Sequence, residues 1–264
     1  VYVGDTNRVH KFDRCGNPVI SWSAAFSNSL TITPSGDVWV PAYYYCFRHF
    51  DTDGNIVIRL YDAEGNPILK YGRHTYYPRN PGDIYEGADV AVDPAGNVYV
   101  TDSDQWGGNG TNNRPHIHKM TPAGAFSWLG EWGTGSGDGQ FFHPHGIVYS
   151  PVKNCLYIAD TGNNRIQMLS LGGTFLGKWG TAGSGDGQFS APYGLAIDGV
   201  GNIYVADHNN YRIQKFDPDG KILTAWSTPA RPTDVHVDVD GTVYVTEVAG
   251  YWGNVQVYGE PDQD

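Results

Sequence analysis

The stretch Trp132-Gly133-Thr134-Gly135-Ser136-Gly137-Asp138-Gly139-Gln140-Phe141 decides the fold, because its core is written a second time as Gly185-Asp186-Gly187-Gln188-Phe189. Each copy opens the same sequence of motifs. Pro144-His145-Gly146-Ile147 matches Pro192-Tyr193-Gly194-Leu195. Leu156-Tyr157-Ile158-Ala159-Asp160 matches Ile203-Tyr204-Val205-Ala206-Asp207, and Asn164-Arg165-Ile166-Gln167 is followed by Arg212-Ile213-Gln214. Tryptophans at 132, 179 and 226 set a step of 47 residues. A fixed period of this length is the mark of a repeat architecture.

Weaker copies flank the strong pair. Val1-Tyr2-Val3-Gly4-Asp5 with Arg8-Val9-His10-Lys11-Phe12 is one, and Val38-Trp39-Val40 with Ile58-Arg59-Leu60-Tyr61 another. Val98-Tyr99-Val100-Thr101-Asp102 with Ile117-His118-Lys119-Met120 is a third. Val243-Tyr244-Val245-Thr246-Glu247 with Val255-Gln256-Val257-Tyr258 is the last. Each unit contains up to four short alternating segments, termed a to d. Such alternation marks half-buried strands, and four strands per unit of this size make a propeller blade.

These motifs resemble the NHL-repeat family. The resemblance implies an all-β, six-bladed β-propeller of four-stranded antiparallel blades. Blades are expected at about 1–23, 24–72, 73–133, 134–180, 181–227 and 228–264, in a single domain. The first strand a and the last strand d are absent from this chain. Roughly 20 further residues upstream of Val1 are therefore expected, enough for two short strands and their connections, with upstream domains of the same polypeptide as candidate partners.

Composition agrees. Gly (35) and Pro (16) are abundant in 264 residues, aromatics reach 14% and the net charge is −11. Bulky rings at this density exclude a disordered chain. The acidic balance argues against a nucleic-acid partner, whose affinity rests on Lys and Arg. Apolar runs are too short for membrane insertion. The a–b and c–d turns read as tight hairpins around glycine. Every long segment falls on the opposite, b–c/d–a face, and binding residues concentrate on such loops.

Candidate binding residues on that face are Tyr43, Tyr44, Tyr45, Arg73, Tyr76, Tyr77, Trp106, His145, Tyr193, His208, Tyr211 and Trp252. Tyr and Trp combine large area with a polar tip. The expected function is a non-catalytic binding or sensor module. Its partner would be a protein, peptide or glycan, and its place extracellular or at the cell surface.

The alternative reading is enzymatic. Among NHL-like propellers, peptidyl-amidoglycolate lyases hold zinc on inner histidines, and lactonase-type propellers hold calcium in the channel. His145, in the middle of its Pro-x-Gly turn, is the candidate ligand here. The aligned residues are Tyr193, Thr233, Ala88 and Asn28, whereas a zinc site needs three or four ligands. No cofactor is therefore expected, with calcium or zinc in the central channel as the alternative.

The acids that end strand b, Asp5, Asp102, Asp160, Asp207 and Glu247, recur in five of the six blades, with Ala42 in the second. Asp160, Asp207 and Asp5 are followed by Arg165, Arg212 and Arg8, so structural carboxylate–guanidinium pairs are expected rather than a catalytic ring. Asp51-Thr52-Asp53-Gly54-Asn55 begins like a calcium loop but lacks its closing acid. Neither a nucleophile elbow nor a phosphate loop is present. Cys15 and Cys155 fall in turns of distant blades and Cys46 on the opposite face, so no intrachain disulfide is expected. Asn109-Gly110-Thr111 is a glycosylation sequon.

Overall fold

The computed structural model describes residues 87–103, 116–129, 135–249 and 252–259, together with strand segments among the first 86 residues. The chain divides into two compact units, Val1–Leu129 and Gly130–Asp264.

The first unit begins with a three-stranded sheet, Tyr2–Gly4, Arg8–Phe12 and Pro18–Ser23. Two four-stranded sheets follow: Thr31–Ile32, Val38–Pro41, Ile58–Tyr61 and Pro67–Tyr71, then Gly87–Val92, Val98–Asp102, His116–Met120 and Phe126–Leu129. The second unit holds the two strong repeats. The fourth sheet is Pro144–Ser150, Cys155–Asp160, Arg165–Ser170 and Phe175–Trp179. The fifth is Pro192–Ile197, Ile203–Asp207, Arg212–Phe216 and Ile222–Ser227. The sixth has three strands, Arg231–Val237, Val243–Ala249 and Trp252–Tyr258. Every neighbouring pair within these sheets is antiparallel and consecutive, the meander of a propeller blade.

Alternation along the strands gives the fifth sheet two apolar faces, one packed on the fourth sheet and one on the sixth. Cys155, Tyr157, Ala159 and Ile166 of the fourth sheet pack on Leu195, Ile203, Val205 and Phe216 of the fifth. The other face of the fifth sheet, Tyr204, Ala206 and Ile213, packs on Val235, Val237, Val243 and Val245 of the sixth. Burying one such side chain contributes about 1.5–3 kcal/mol, so the stacking of sheets dominates the stability of the unit. Trp179 and Trp226, in the last two positions of their d strands, lie against these layers. Trp179 lies edge-on to Tyr157 at 5.6 Å, and Trp226 edge-on to Tyr204 at 6.3 Å.

Among the described residues, the expected hairpin glycines have the required backbone. Gly96, Gly201 and Gly241 in a–b turns and Gly124 and Gly220 in c–d turns all have φ between 78° and 95°. In the a–b turns an aspartate ties the loop. Asp198 Oδ1 accepts from the amides of Val200 and Asn202, and Asp93 Oδ1 does the same for Ala95 and Asn97. Part of the acid excess is thus turn chemistry.

The glycine-rich stretches are bound just as tightly. Arg165 of strand c donates from Nε to Asp160 at 2.6 Å. Its two terminal nitrogens reach the carbonyls of Ser136, Gly137 and Gln140. Gln167 bridges the same carboxylate, the Gln140 carbonyl and the Gly139 amide, and Asn163 joins Asp160 to the Gly135 carbonyl. The fifth sheet repeats the lock with Asp207, Asn210, Arg212 and Gln214 on Gly183, Gly185, Gly187 and Gln188. Two of the Asp–Arg pairs expected from spacing, Asp160–Arg165 and Asp207–Arg212, are present and fasten the d–a loop to strands b and c; the third, Asp5–Arg8, lies outside the described residues.

Strand a carries a register break at one repeated place. In the third to sixth sheets it follows Gly87, Pro144, Pro192 and Pro232. Such a bulge re-aims the residue it contains, here Ala88, His145, Tyr193 and Thr233. The next residue must let adjacent strands a approach closely. A Cβ on Gly146 would overlap the Tyr193 carbonyl and lie 2.9 Å from the Leu195 nitrogen. One on Gly194 would lie 2.5 Å from the Cα of Asp234.

Because those obstacles are backbone, Gly146→Ala and Gly194→Ala should each lower the unfolding free energy by about 2 kcal/mol or more. Gly199→Ala, which meets nothing within 4 Å, should stay within about 0.5 kcal/mol. Urea denaturation of the three variants checks this, and equal losses would remove close strand packing as the reason for these glycines.

Candidate functional site

The strand-a bulges and the b–c loops of the second unit gather three of the residues selected from sequence. His145 and Tyr193 stack with ring centroids 4.1 Å apart and planes at 22°, and Tyr193 stacks on His208 at 4.7 Å and 25°. His145 and Tyr193 come from equivalent bulge positions on adjacent sheets. His208 opens a short 3-10 turn, His208–Asn210, directly after strand b of the fifth sheet.

The ladder is electrically neutral along most of its length. Burial is the main reason that His145 is lowered from 6.5 to about 3, with His143 and His208 adding repulsion. His208 is lowered as well, chiefly by burial and partly by Arg231, against the opposing pull of the Pro232 carbonyl. Its Nδ1 lies 3.0 Å from that carbonyl, so Nδ1 carries the proton and Nε2 presents a lone pair.

Beyond His208 the series ends in a cation. Arg231, at the start of the sixth sheet, donates from Nε to the Tyr211 hydroxyl at 3.1 Å, and its guanidinium lies 5.6 Å from the Tyr211 ring centre. Tyr211 is 43% exposed and has φ of 54°, the left-handed region. The equivalent residue of the fourth sheet, Asn164, has the same φ and uses Oδ1 to accept from the Ala191 amide. Asparagine tolerates this backbone better than tyrosine does. The fifth sheet therefore holds strain where it displays a ring.

Of the other selected residues, Arg73 lies in the strand Arg73–His74 and Trp252 opens the strand Trp252–Tyr258. Tyr43, Tyr44, Tyr45, Tyr76, Tyr77 and Trp106 lie outside the described residues, as do the sequon and the Asp51–Asn55 stretch. Sequence reasoning misses Arg231. The only signal for it is a lone arginine in the short connection that replaces the glycine-rich loop before the sixth sheet. Thr233 and Ala88 occupy the two remaining described bulges, and Thr233 bonds Thr246 at 2.9 Å.

The arrangement does not fit a metal centre. His208 spends Nδ1 on a backbone carbonyl, and His145 meets Tyr193 face to face. Among the described residues, no three His, Cys, Asp or Glu side chains gather to hold an ion. Cys155 is a free, buried thiol. No helix among the described residues is long and apolar enough to cross a membrane.

With these features in place, comparison with known proteins defines the family. Residues 6–249 match the SMP-30/Gluconolactonase/LRE-like region, and the chain belongs to that family. It is similar to NHL repeat-containing protein 3 of Mus musculus, 36% identical over 58% of this chain and 39% of that protein. It is also similar to peptidyl-glycine alpha-amidating monooxygenase A of Xenopus laevis, 30% identical over 53% of this chain and 14% of the relative. The matched regions are thus well under half of these relatives' lengths. Among solved structures, a gluconolactonase of Xanthomonas campestris superposes with a TM-score of 0.67 at 18% identity, covering 92% of this chain and 76% of the other. The fold is an all-β propeller of antiparallel sheets, and the NHL-type repeat read from the motifs is supported by the mouse relative.

Two outcomes follow from the ladder. The native state resists protonating His145 down to about pH 3, whereas the unfolded chain takes up that proton near 6.5. This contribution is whole above pH 6.5 and shrinks as pH falls through the window between the two values. Wild type should lose about 2 kcal/mol more than His145→Phe on going from about pH 7 to pH 5 in urea denaturation; parallel losses would mean that His145 is not held neutral. Tyr211→Asn should raise the unfolding free energy by about 1 kcal/mol by relieving the left-handed strain. A loss instead would show that the Arg231 contact outweighs it.

Proposed function

We propose that the chain is a six-bladed, non-catalytic binding propeller of this family, a single domain whose b–c/d–a face recognises a protein, peptide or glycan. The observation that carries the reading is the ladder of neutral rings His145, Tyr193 and His208 ending in the Tyr211–Arg231 pair. Stacked rings hold flat or apolar groups, and an exposed guanidinium holds an acidic or hydroxyl-bearing one. Tyr211 keeps a strained backbone at the surface, which fits a ring retained for contact rather than for packing. An extracellular or cell-surface setting suits this reading, with low lysine, abundant Tyr and Trp and no nucleic-acid or membrane partner.

A second reading is supported by family membership and by the amidating relative: a lactonase-like hydrolase or a peptidyl-amidoglycolate lyase-like enzyme acting at the inner strands. In that case His208 Nε2 is the group on the described ladder suited to accept a proton.

Purified protein should turn over neither lactones nor peptidyl amidoglycolates above the buffer rate, with or without added calcium or zinc. It should bind members of a peptide or glycan array, and Arg231→Ala and Tyr211→Ala should each weaken that binding about tenfold or more. Metal-dependent turnover abolished by His208→Ala would establish the enzymatic reading instead.

A further inference from the structure

The acid that ends strand b is treated differently in the sixth sheet. Asp160 and Asp207 occupy this position in the fourth and fifth sheets, are fully buried, and each accepts from an arginine, an asparagine, a glutamine and a backbone amide. Glu247 takes the same register, opposite Pro232 as Asp207 lies opposite Pro192, and is equally buried at 1% exposure. Among the described residues, no side chain donates to either of its carboxylate oxygens. Burial pushes its pKa up, and only the Ala230 backbone opposes that rise.

The missing donor can be named from the pairing. Asp160 lies opposite Arg165 and Asp207 opposite Arg212, whereas Glu247 lies opposite Asn254, which is exposed. The glutamine of the lock is retained as Gln256, at the register of Gln167 and Gln214, yet it does not reach the carboxylate. The glycine-rich loop is also gone, replaced by a connection closed by a Thr228 hydroxyl bond to the Ala230 carbonyl. The one arginine on the adjoining strand, Arg231, turns its Nε to Tyr211. Tyr258, farther along the same sheet, has a buried hydroxyl that also lacks a partner among the described residues.

A buried carboxylate stripped of side-chain donors costs stability unless something outside the sheet completes it. The two sister sheets show what completes it: a guanidinium delivered beside the carboxylate from the b–c side. We propose that Glu247 is the floor of a guanidinium-binding site, which takes from a ligand or a partner's arginine the group that Arg165 and Arg212 supply within their own sheets. This inference stands on the comparison of sheets and holds whether the propeller is a binding module or an enzyme. A planar fork pairs with a carboxylate through two parallel bonds, and an ammonium does not. Guanidinium should therefore be preferred over amine.

Titration calorimetry with L-argininamide and L-lysinamide tests this, with a capped Gly-Arg-Gly peptide as a third ligand. Argininamide should bind at least about tenfold more tightly than lysinamide, and Glu247→Gln should lose that binding by at least about tenfold. Asn254→Arg should fill the site from within the chain, raising the melting temperature and abolishing argininamide binding. This second variant keeps the test decisive should Glu247→Gln fail to fold. Binding by the peptide as well would assign the site to an arginine side chain of a protein partner, and binding by argininamide alone to a small ligand. Absence of argininamide binding, equal affinity for lysinamide, or binding that survives in Asn254→Arg would overturn the proposal.

Discussion

Asp160 and Asp207 are carboxylates with no exposed surface, and the second unit is organised around satisfying them. An ionised group of this kind is tolerated in a core only when donors surround it. Burial pushes Asp160 upward, and the Phe142 amide, Asn163 and Arg165 pull it back. Those donors then dictate the local sequence. Arginine must face the acid across the b–c pair, glutamine must stand two residues on, and asparagine must sit in the intervening turn. The same arginine and glutamine have further groups to satisfy, and they find them in the carbonyls and amides of the glycine-rich loop. One buried charge thus fixes a flexible-looking run of glycines against strands b and c of its own sheet.

This dependence explains why the fold is legible in the sequence. Acid, asparagine, arginine and glutamine can satisfy one another only at fixed spacing, so the motif is repeated almost letter for letter in the two strong copies. The Pro-x-Gly turn is equally readable, because Gly146 and Gly194 stand where adjacent strands leave no room for a Cβ. The hairpin glycines obey the same logic through their positive φ.

The site is only partly legible. His145 and Tyr193 can be placed because they fill a repeated, structurally defined bulge, and His208 because it follows a repeated acid. Their stacking cannot be read, since it depends on ring orientations between sheets rather than on spacing. Arg231 escapes notice because it has no counterpart in the other copies, and a residue outside the period looks like a loop charge. Glu247 misleads for the opposite reason. It fits the period so well that it groups with the structural acids, although the arginine that makes them structural is absent opposite it.

The two departures meet on one sheet. Where the fourth and fifth sheets spend their arginine inward, on the acid and the glycine-rich loop, the sixth loses both the loop and the inward arginine and carries Arg231 at its outer start. Arg231 then reaches back to Tyr211 of the fifth sheet, a ring carried on the left-handed backbone where the fourth sheet has Asn164. The result is a cation displayed at the surface and an acid left buried, within the span of a single strand pair, Arg231–Val237 with Val243–Ala249. In a repeat protein the symmetric positions are fixed by stability, so asymmetry is where selection for function is free to act. The sixth sheet has broken the symmetry twice within that pair, with opposite charges.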